Sequence, residues 1–440
     1  MSDYVYGLNK SGISIIKLLR QQKKTFDCWD DNKKIRNSIK KNYTKLEFKK
    51  IDKNLNKYKN IYLTPGISIQ DKRFVDVSNS KIKRDLNLYY QNIKNEKIVA
   101  ITGTNGKSTT TKLIGDILKK KYKNTFVGGN IGDALCNSII DSVKYSHHVV
   151  ELSSFQLETI KNFDPNISIL LNLSKDHLDR YIDLKAYISA KKNILNKNSK
   201  NINLISIDDK YSKSIFYSKK INNKISFSIK NTDADIYYKD GNVVDNFFHK
   251  NKKTKLLNIS SDLNAAYNFQ NILVAYIVCK YFKIPIKYFN QSIQNFKGLP
   301  YRSSTVYNSK LKLIINNSKA TNISSALPTL ENKKNIYLIL GGIAKEDGFE
   351  QFGKFRNEIK QIYIYGKSRF LINNQINLSK ISKILKNLQE VVDNLWEDMS
   401  FNNDKATIIF APACTSFDQF ENFEKRGDYF NKLILNKIKK

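Results

Sequence analysis

Apolar residues recur along this chain in two alternating rhythms. Short continuous apolar runs mark strands buried on both faces, and between them apolar residues return every three or four positions, as on a helix packed by one side. Near the start, DYVYGL, FDCWDD and NIYLTPGIS read as strands, with Ile13, Ile16 and Leu19 on a helix face between the first two. Ile98 to Ile101 is a strand, followed by a helix with Leu113, Ile114, Ile117, Leu118 and Tyr122 on one face. NTFVGG, HHVVELSS, ISILLNL and INLISID continue the series. KISFSIK and ADIYYKDGNVV read as a small antiparallel addition, turning at Asp240-Gly241. A long helix is expected over about Asn264 to Phe282, and the rhythm then restarts with LKLIINN, NIYLILGG, QIYIYG and ATIIFAP. A last helix is expected from about Phe417 to Lys437.

Strands alternating with helices give α/β architecture with mainly parallel sheets covered on both faces. The restarts divide the chain into three expected domains: residues 1–90, 91–297 and 298–440. The first and last are expected to be Rossmann-like, and the central one to resemble a P-loop ATPase. In the first, Gly7 and Gly12 bracket a turn, and Asp30 and Asp31 end the second strand. GLNKSG does not fit the dinucleotide fingerprint G-x-G-x-x-G, so nicotinamide or flavin redox chemistry is not expected.

Composition narrows the class. Apolar residues make up 41% and aromatics 12%, a globular balance. No apolar run reaches the roughly 18 residues of a membrane span, and the N-terminus lacks a signal pattern. Cys28, Cys136, Cys279 and Cys414 lie far apart with no CxxC pair, which fits a reduced compartment without zinc. The expectation is a soluble cytoplasmic protein without a membrane partner. The net charge of +35 invites a nucleic-acid reading. Lysine is spread along the whole chain, however, beside abundant asparagine and isoleucine, as in drift toward AT-rich codons. No specific nucleic-acid partner is expected.

The chemistry centres on VAITGTNGKSTTT, Val99 to Thr111. Strand, glycine turn and helix form a phosphate-binding geometry: glycines let backbone N–H groups approach an anion, and the helix dipole favours it. Lys107 supplies charge for the outer phosphates, and Ser108 or Thr109 a hydroxyl for Mg²⁺. Ile101 stands where the usual P-loop has its first glycine, so this is a short form, with Gly103 and Gly106. Glu151 ends an apolar run, where a carboxylate can hold Mg²⁺ beside the phosphates or cap a helix. His177 follows ILLNL, and Lys191 lies in YISAKKNIL; taken singly, each reads more readily as a surface group than as a ligand. Three polar clusters follow apolar runs in the last domain: Asn316 to Asn322, Leu340 to Gly348, and Pro412 to Gly427. Helix capping alone would not need three clusters of this density.

These stretches resemble the Mur ligases. The resemblance rests on ITGTNGKSTTT, GGNIG, ELSSFQLE, LNLSKDHLDRY, YNFQN, GLPYR, NNSKATN and PACTSFDQFENFEKRG, in family order over about residues 60 to 430. TGTNGKST is shared with folylpolyglutamate synthetases; SKATN and the PACTSFDQF stretch are particular to the branch that adds D-glutamate. The resemblance implies a UDP-binding first domain, an ATP-binding second, and a third that closes over both and binds the amino acid. It implies a reaction in which the carboxylate of UDP-N-acetylmuramoyl-L-alanine attacks the γ-phosphate of ATP. The acyl phosphate is then taken by the amine of D-glutamate. Sibling ligases and the folate enzymes are the alternatives within this chemistry, and a non-catalytic P-loop module the alternative outside it.

Carried over by motif, the resemblance assigns ATP to Gly103, Thr104, Asn105, Gly106, Lys107, Ser108, Thr109, Asn268, Asn271, Arg302 and Asn317. It assigns Mg²⁺ to two sites drawn from Ser108, Glu151, His177 and Lys191, with Lys191 carbamylated and so anionic. Lys107, Glu151, His177 and Lys191 form the catalytic set. Asn130 and Gln156 are expected to contact the nascent acyl group or the substrate's sugar side. Thr321, Lys345, Ser416, Phe417 and Phe423 are expected to form the D-glutamate pocket. A monomer is expected. The chain departs from the family pattern at Asn9 within GLGxSG, at Tyr301 for a histidine, at Asn317 for an aspartate, and at Ile343 for an aspartate of some relatives.

Overall fold

The computed structural model describes residues 1–43, 46–51, 54–178, 180–196, 200–345, 347–400 and 405–438. Its strands form three sheets. In the first, β1 (Asp3–Tyr6), β2 (Phe26–Trp29), β3 (Ile61–Leu63) and β4 (Ile82–Lys83) run parallel in the order β2-β1-β3-β4. β1 is buried on both faces, Val5 in one core and Tyr4 and Tyr6 in another. The order reverses at β1, so the carboxyl ends of β1 and β3 flank a crevice. A Cβ on Gly7, at φ +91, would lie 2.1 Å from Thr64 Oγ1, so glycine closes this turn.

The second sheet holds β5 (Lys97–Thr102), β6 (Thr125–Gly129), β7 (His147–Glu151), β8 (Ile167–Leu170), β9 (Ile202–Ser206), β10 (Lys224–Ser228), β11 (Ile236–Lys239), β12 (Asn242–Asp245) and β13 (Lys252–Lys255). Their order is β13-β12-β11-β10-β9-β8-β5-β7-β6. β5 sends Val99 and Ile101 to one core and Ile98 and Ala100 to the other. The helices Lys107–Lys121 and Asn268–Tyr281 cover the first face. The second core continues into Val5, Ile15 and Ile16, so the first two sheets share a core. Residues 1–173 and 183–296 form one compact unit. Truncating a fully buried residue such as Leu113 to alanine would cost about 2–5 kcal/mol.

KISFSIK departs from the expectation. β10 pairs parallel with both β9 and β11; the antiparallel ribbon is β11-β12-β13. Ser226 and Ser228 are buried in this strand, and Ser226 Oγ donates to Asp235 at 2.7 Å. KKTK at β13 has no apolar alternation and gave no signal. The long helix begins at Asn268, four residues later than expected.

Residues 174–182 and 297–440 form a second unit. Its sheet holds β14 (Ser304–Asn308), β15 (Lys312–Asn316), β16 (Ile336–Gly341), β17 (Ile359–Tyr365), β18 (Ser382–Ile384) and β19 (Ala406–Phe410), in the order β14-β15-β19-β16-β17-β18. Only β14 is antiparallel. β14 and β18, the edges, are polar and were not anticipated. Leu338 and Leu340 enter one core and Ile339 the other. The last helix is Phe423–Ile438, later than expected, because Asn422 caps it by accepting from Lys425 N at 2.8 Å. No helix among the described residues is long and apolar enough to cross a membrane.

Candidate active site

In the first unit, β5 lies between β7 and β8, and the register sets Ile101 beside Glu151 and Ile169. The segments leaving three adjacent strands therefore share one sheet edge: Leu152 onward, the glycine loop, and Asn172. Such an edge is where open α/β sheets bind ligands. Gly106 has φ +83, and a Cβ there would lie 2.7 Å from Asn271 Oδ1. Only glycine fits both the conformation and the approach. The helix starts at Lys107 with no acidic residue in its first turn. Ser108 is buried there and Thr109 half-buried. An incoming phosphate would meet the positive end of this helix.

Two ammonium groups rest on the loop. Lys107 Nζ donates to the carbonyls of Gly103 (2.9 Å) and Thr104 (2.8 Å). Lys191 Nζ donates to Gly103 O at 2.7 Å and stands 4.9 Å from the centre of the Tyr187 ring. Lys191 is 2% exposed, whereas Lys192 is exposed, as helical spacing requires. Tyr187 Oη pairs with Thr104 Oγ1 at 3.0 Å. Glu151 is 1% exposed, and its Oε1 accepts from Asn130 Nδ2 at 2.7 Å. Asn130 is held there by its own N–H on Glu151 O at 2.9 Å.

Asn271 accepts from Thr110 Oγ1 at 2.9 Å and donates to Asn268 Oδ1 at 2.9 Å. Asn271 thus lies against the glycine loop, with Asn268 bonded to it. Gln156 is turned differently. Its Nε2 donates to both oxygens of Asp85 (3.2 and 3.1 Å), and its Oε1 accepts from Ser153 N at 3.1 Å. Burial pushes the Asp85 carboxyl up from the ordinary range. Beside it, fully buried Arg84 donates to Glu158 Oε2 at 2.9 Å and to the carbonyls of Leu63, Thr64 and Ile67.

In the second unit, β19 lies between β15 and β16, so the three polar clusters leave adjacent strands. Arg426, fully buried, ties them together. It donates to Ser318 Oγ (3.0 Å), Ser318 O (2.7 Å) and Cys414 O (3.0 Å). Thr321 is half-buried and Ser416 buried. Lys345 Nζ meets Asp176 at 2.6 Å, and Asn322 Nδ2 meets the same carboxylate at 3.2 Å. The next residue, His177, has φ +56, and its backbone N–H donates to Asp176 Oδ1 at 2.9 Å.

Several expected residues sit otherwise than a pocket wall would. Phe417 is 70% exposed. Phe423 opens the last helix, with Lys319 Nζ 3.9 Å from the centre of its ring. Asn317 spends its amide on Thr329 Oγ1 (2.7 Å) and Ser325 O (3.3 Å). Arg302 is half-buried between Tyr301 (φ +60) and Ser303 (φ +51). The Tyr301 hydroxyl bonds Asp428, and that contact and burial push its pKa up to about 12. Asp176, Arg426, Asn172 and Gln270 were not singled out from sequence. Each lies inside or beside a motif already noted.

The chain is similar to proteins already known. The family description "Mur ligase middle domain" matches residues 101–279. The chain is 34% identical over 434 residues to a UDP-N-acetylmuramoylalanine–D-glutamate ligase of Rickettsia prowazekii, covering 98% of this chain and 96% of the relative. It is 30% identical to the enzyme of that name from a Hydrogenobaculum species, covering 99% and 98%. Among solved structures, the UDP-N-acetylmuramate–alanine ligase of Thermotoga maritima matches with a TM-score of 0.61 at 18% identity, covering 99% of each chain. A folylpolyglutamate synthase of Mycobacterium tuberculosis matches with a TM-score of 0.59 at 11% identity, covering 78% of this chain and 93% of that one. At these identities the structural likeness concerns the fold alone.

Proposed function

The chain belongs to the Mur ligase family, and from that premise we propose how its residues divide the work. It is an ATP-dependent ligase that adds D-glutamate to UDP-N-acetylmuramoyl-L-alanine in peptidoglycan precursor synthesis. One observation carries the assignment of the ATP site: a glycine loop with a buried carboxylate and two lysines at one edge of a parallel sheet. Residues 1–90 hold the uridine nucleotide, residues 91–297 the ATP, and residues 298–440 the amino acid.

A carboxylate attacking a triphosphate meets charge repulsion. Lys107 relieves it by leaving its loop carbonyls for the phosphate oxygens. Mg²⁺, when bound, neutralises developing charge on those oxygens. Buried Glu151 and Ser108 fit it, since Mg²⁺ takes one or two carboxylates and completes its shell with phosphate oxygens and water. His177 would serve a second Mg²⁺, and Lys191, if carbamylated, would become anionic and able to act as a metal ligand. The Lys191 ammonium now donates to Gly103 O; carbamylation would reverse its charge and move it off that carbonyl. Asn268, Asn271 and Arg302 serve the nucleotide. Asn130 orients Glu151. Lys345, Thr321 and Ser416 receive the two carboxylates of D-glutamate. Four buried cysteines not joined by disulfides support a reducing, cytoplasmic setting, and we take the working form to be a monomer.

The test is ADP release with a panel of acceptors. Release with UDP-N-acetylmuramoyl-L-alanine plus D-glutamate alone is expected. Release with a folate plus L-glutamate, or with a longer muramoyl peptide, would move the chain to a sibling activity.

A further inference from the structure

The glycine loop is held by more than its own residues. Asn172, the second residue beyond β8, accepts Thr104 N–H on its backbone oxygen at 2.8 Å. Its side-chain Oδ1 accepts Asn105 N–H at 2.8 Å, and its Nδ2 donates to Asn105 O at 3.1 Å. One asparagine therefore closes both polar groups of Asn105, as a neighbouring strand would. The same Nδ2 donates to Gln270 Oε1 at 2.9 Å. Gln270 is buried, and its Nε2 donates to Ser206 Oγ (2.9 Å) and Asp208 Oδ2 (3.0 Å). Asp208 is itself fixed by Ile229 N–H at 3.1 Å.

We infer that Asn172 and Gln270 are positioning residues that lock the glycine loop in its nucleotide-binding shape, Gln270 acting through Asn172. The inference rests on the ATP reading above. A loop with glycines at 103 and 106 is soft, and phosphate binding works through N–H groups already in place. The cations on the loop cannot do this holding, because triphosphate draws Lys107 away. Asn172 and Gln270 are neutral and aim no charge at the phosphates. Glutamine supplies two donors and one acceptor in fixed polarity, anchored to β9 through Ser206 and to the segment after it through Asp208. Its neighbours Asn268 and Asn271 lie on the same helix. The nucleotide positions of that helix and the phosphate loop are thereby hydrogen-bonded as one piece.

The experiment is steady-state kinetics of the full chain with ATP and D-glutamate varied in turn. Gln270→Met is expected to raise the ATP KM about tenfold and leave the D-glutamate KM within about twofold, since it removes one relay of buried hydrogen bonds. Asn172→Ala should raise the ATP KM further. The double variant should match Asn172→Ala alone, because residues acting in series do not add. Gln270→Glu is the backup should the methionine variant fail to fold. Its carboxylate would face Asp208, and its ATP KM should fall as pH drops from about 8 to 6 and the introduced group takes up a proton. An unchanged ATP KM in these folded variants, or simple additivity in the double, would overturn the inference alone. Absence of ATP-dependent turnover in the unmodified protein would overturn the ATP reading and this inference together.

Discussion

Gly106→Ala isolates the geometric requirement of the phosphate loop. At φ +83 an alanine pays about 1–2 kcal/mol for the left-handed conformation. The new Cβ would also lie 2.7 Å from Asn271 Oδ1 and 3.3 Å from Leu171 Cδ1. Asn271 must move, which breaks its bonds to Thr110 Oγ1 and Asn268 Oδ1. Two hydrogen bonds at about 1 kcal/mol each bring the total to about 3–4 kcal/mol. The loop can escape this strain by relaxing in the free protein, but it must resume its shape to bind nucleotide. Most of the cost should then appear as a loss of Mg-ATP affinity of at least about 100-fold, with a small change in melting temperature. Isothermal titration with Mg-ATP measures it. Gly241→Ala is the control: it also has positive φ, at +75, but nothing lies within 4 Å of its added Cβ. It should cost some stability and leave ATP affinity unchanged. Wild-type affinity in Gly106→Ala, or an equal loss in Gly241→Ala, would refute the reasoning.

Three further outcomes are expected. Mass spectrometry under bicarbonate should find a carbamate on Lys191; Lys191→Ala should lose most activity, with partial rescue by a short carboxylate, whereas exposed Lys192→Ala should do little. Lys345→Ala and Ser416→Ala should each raise the D-glutamate KM by about 10- to 100-fold, the worth of a charged hydrogen bond at about 1.5–3 kcal/mol, and spare the ATP KM. Burial lowers the His148 pKa to about 4. The fold therefore keeps His148 neutral while the unfolded chain protonates near 6.5, so stability is full above that pH and falls as pH drops from about 6.5 to 4, by about 3 kcal/mol. Its Nδ1 has no hydrogen-bond partner among the described residues, and its ring packs near Tyr89, Phe126 and Tyr145. His148→Phe should keep the stability at pH 7 and remove His148's part of this acid limb in urea titrations, while His147, whose pKa burial also lowers to about 4, keeps its own.

The phosphate loop was legible because its signal is local: an apolar run, two glycines and a helical face within a short stretch. The three polar clusters of the last sheet were legible for the same reason, each following its own strand. Arg426, which joins them, was not, since a lone arginine on a helix shows no sign of being fully buried. Asn172 and Gln270 were hidden differently. Their partner sits 98 residues away in sequence for the Asn172–Gln270 bond, and polar residues at strand ends read as ordinary caps. The direction of β10 was not legible because pairing direction is set by partner strands that the local apolar pattern of KISFSIK does not specify. Phe417 shows the converse limit: a motif match gives its place in the chain, while its 70% exposure is set by the loop that precedes the last helix.

The most direct measurement of the central claim is product formation from UDP-N-acetylmuramoyl-L-alanine and Mg-ATP with D- or L-glutamate, followed by chromatography and mass spectrometry. The account predicts one new amide per ADP released with D-glutamate, essentially none with L-glutamate, and neither product nor ADP from the folded Lys107→Ala protein. Equal use of both enantiomers, or amide formation without ADP release, would contradict it.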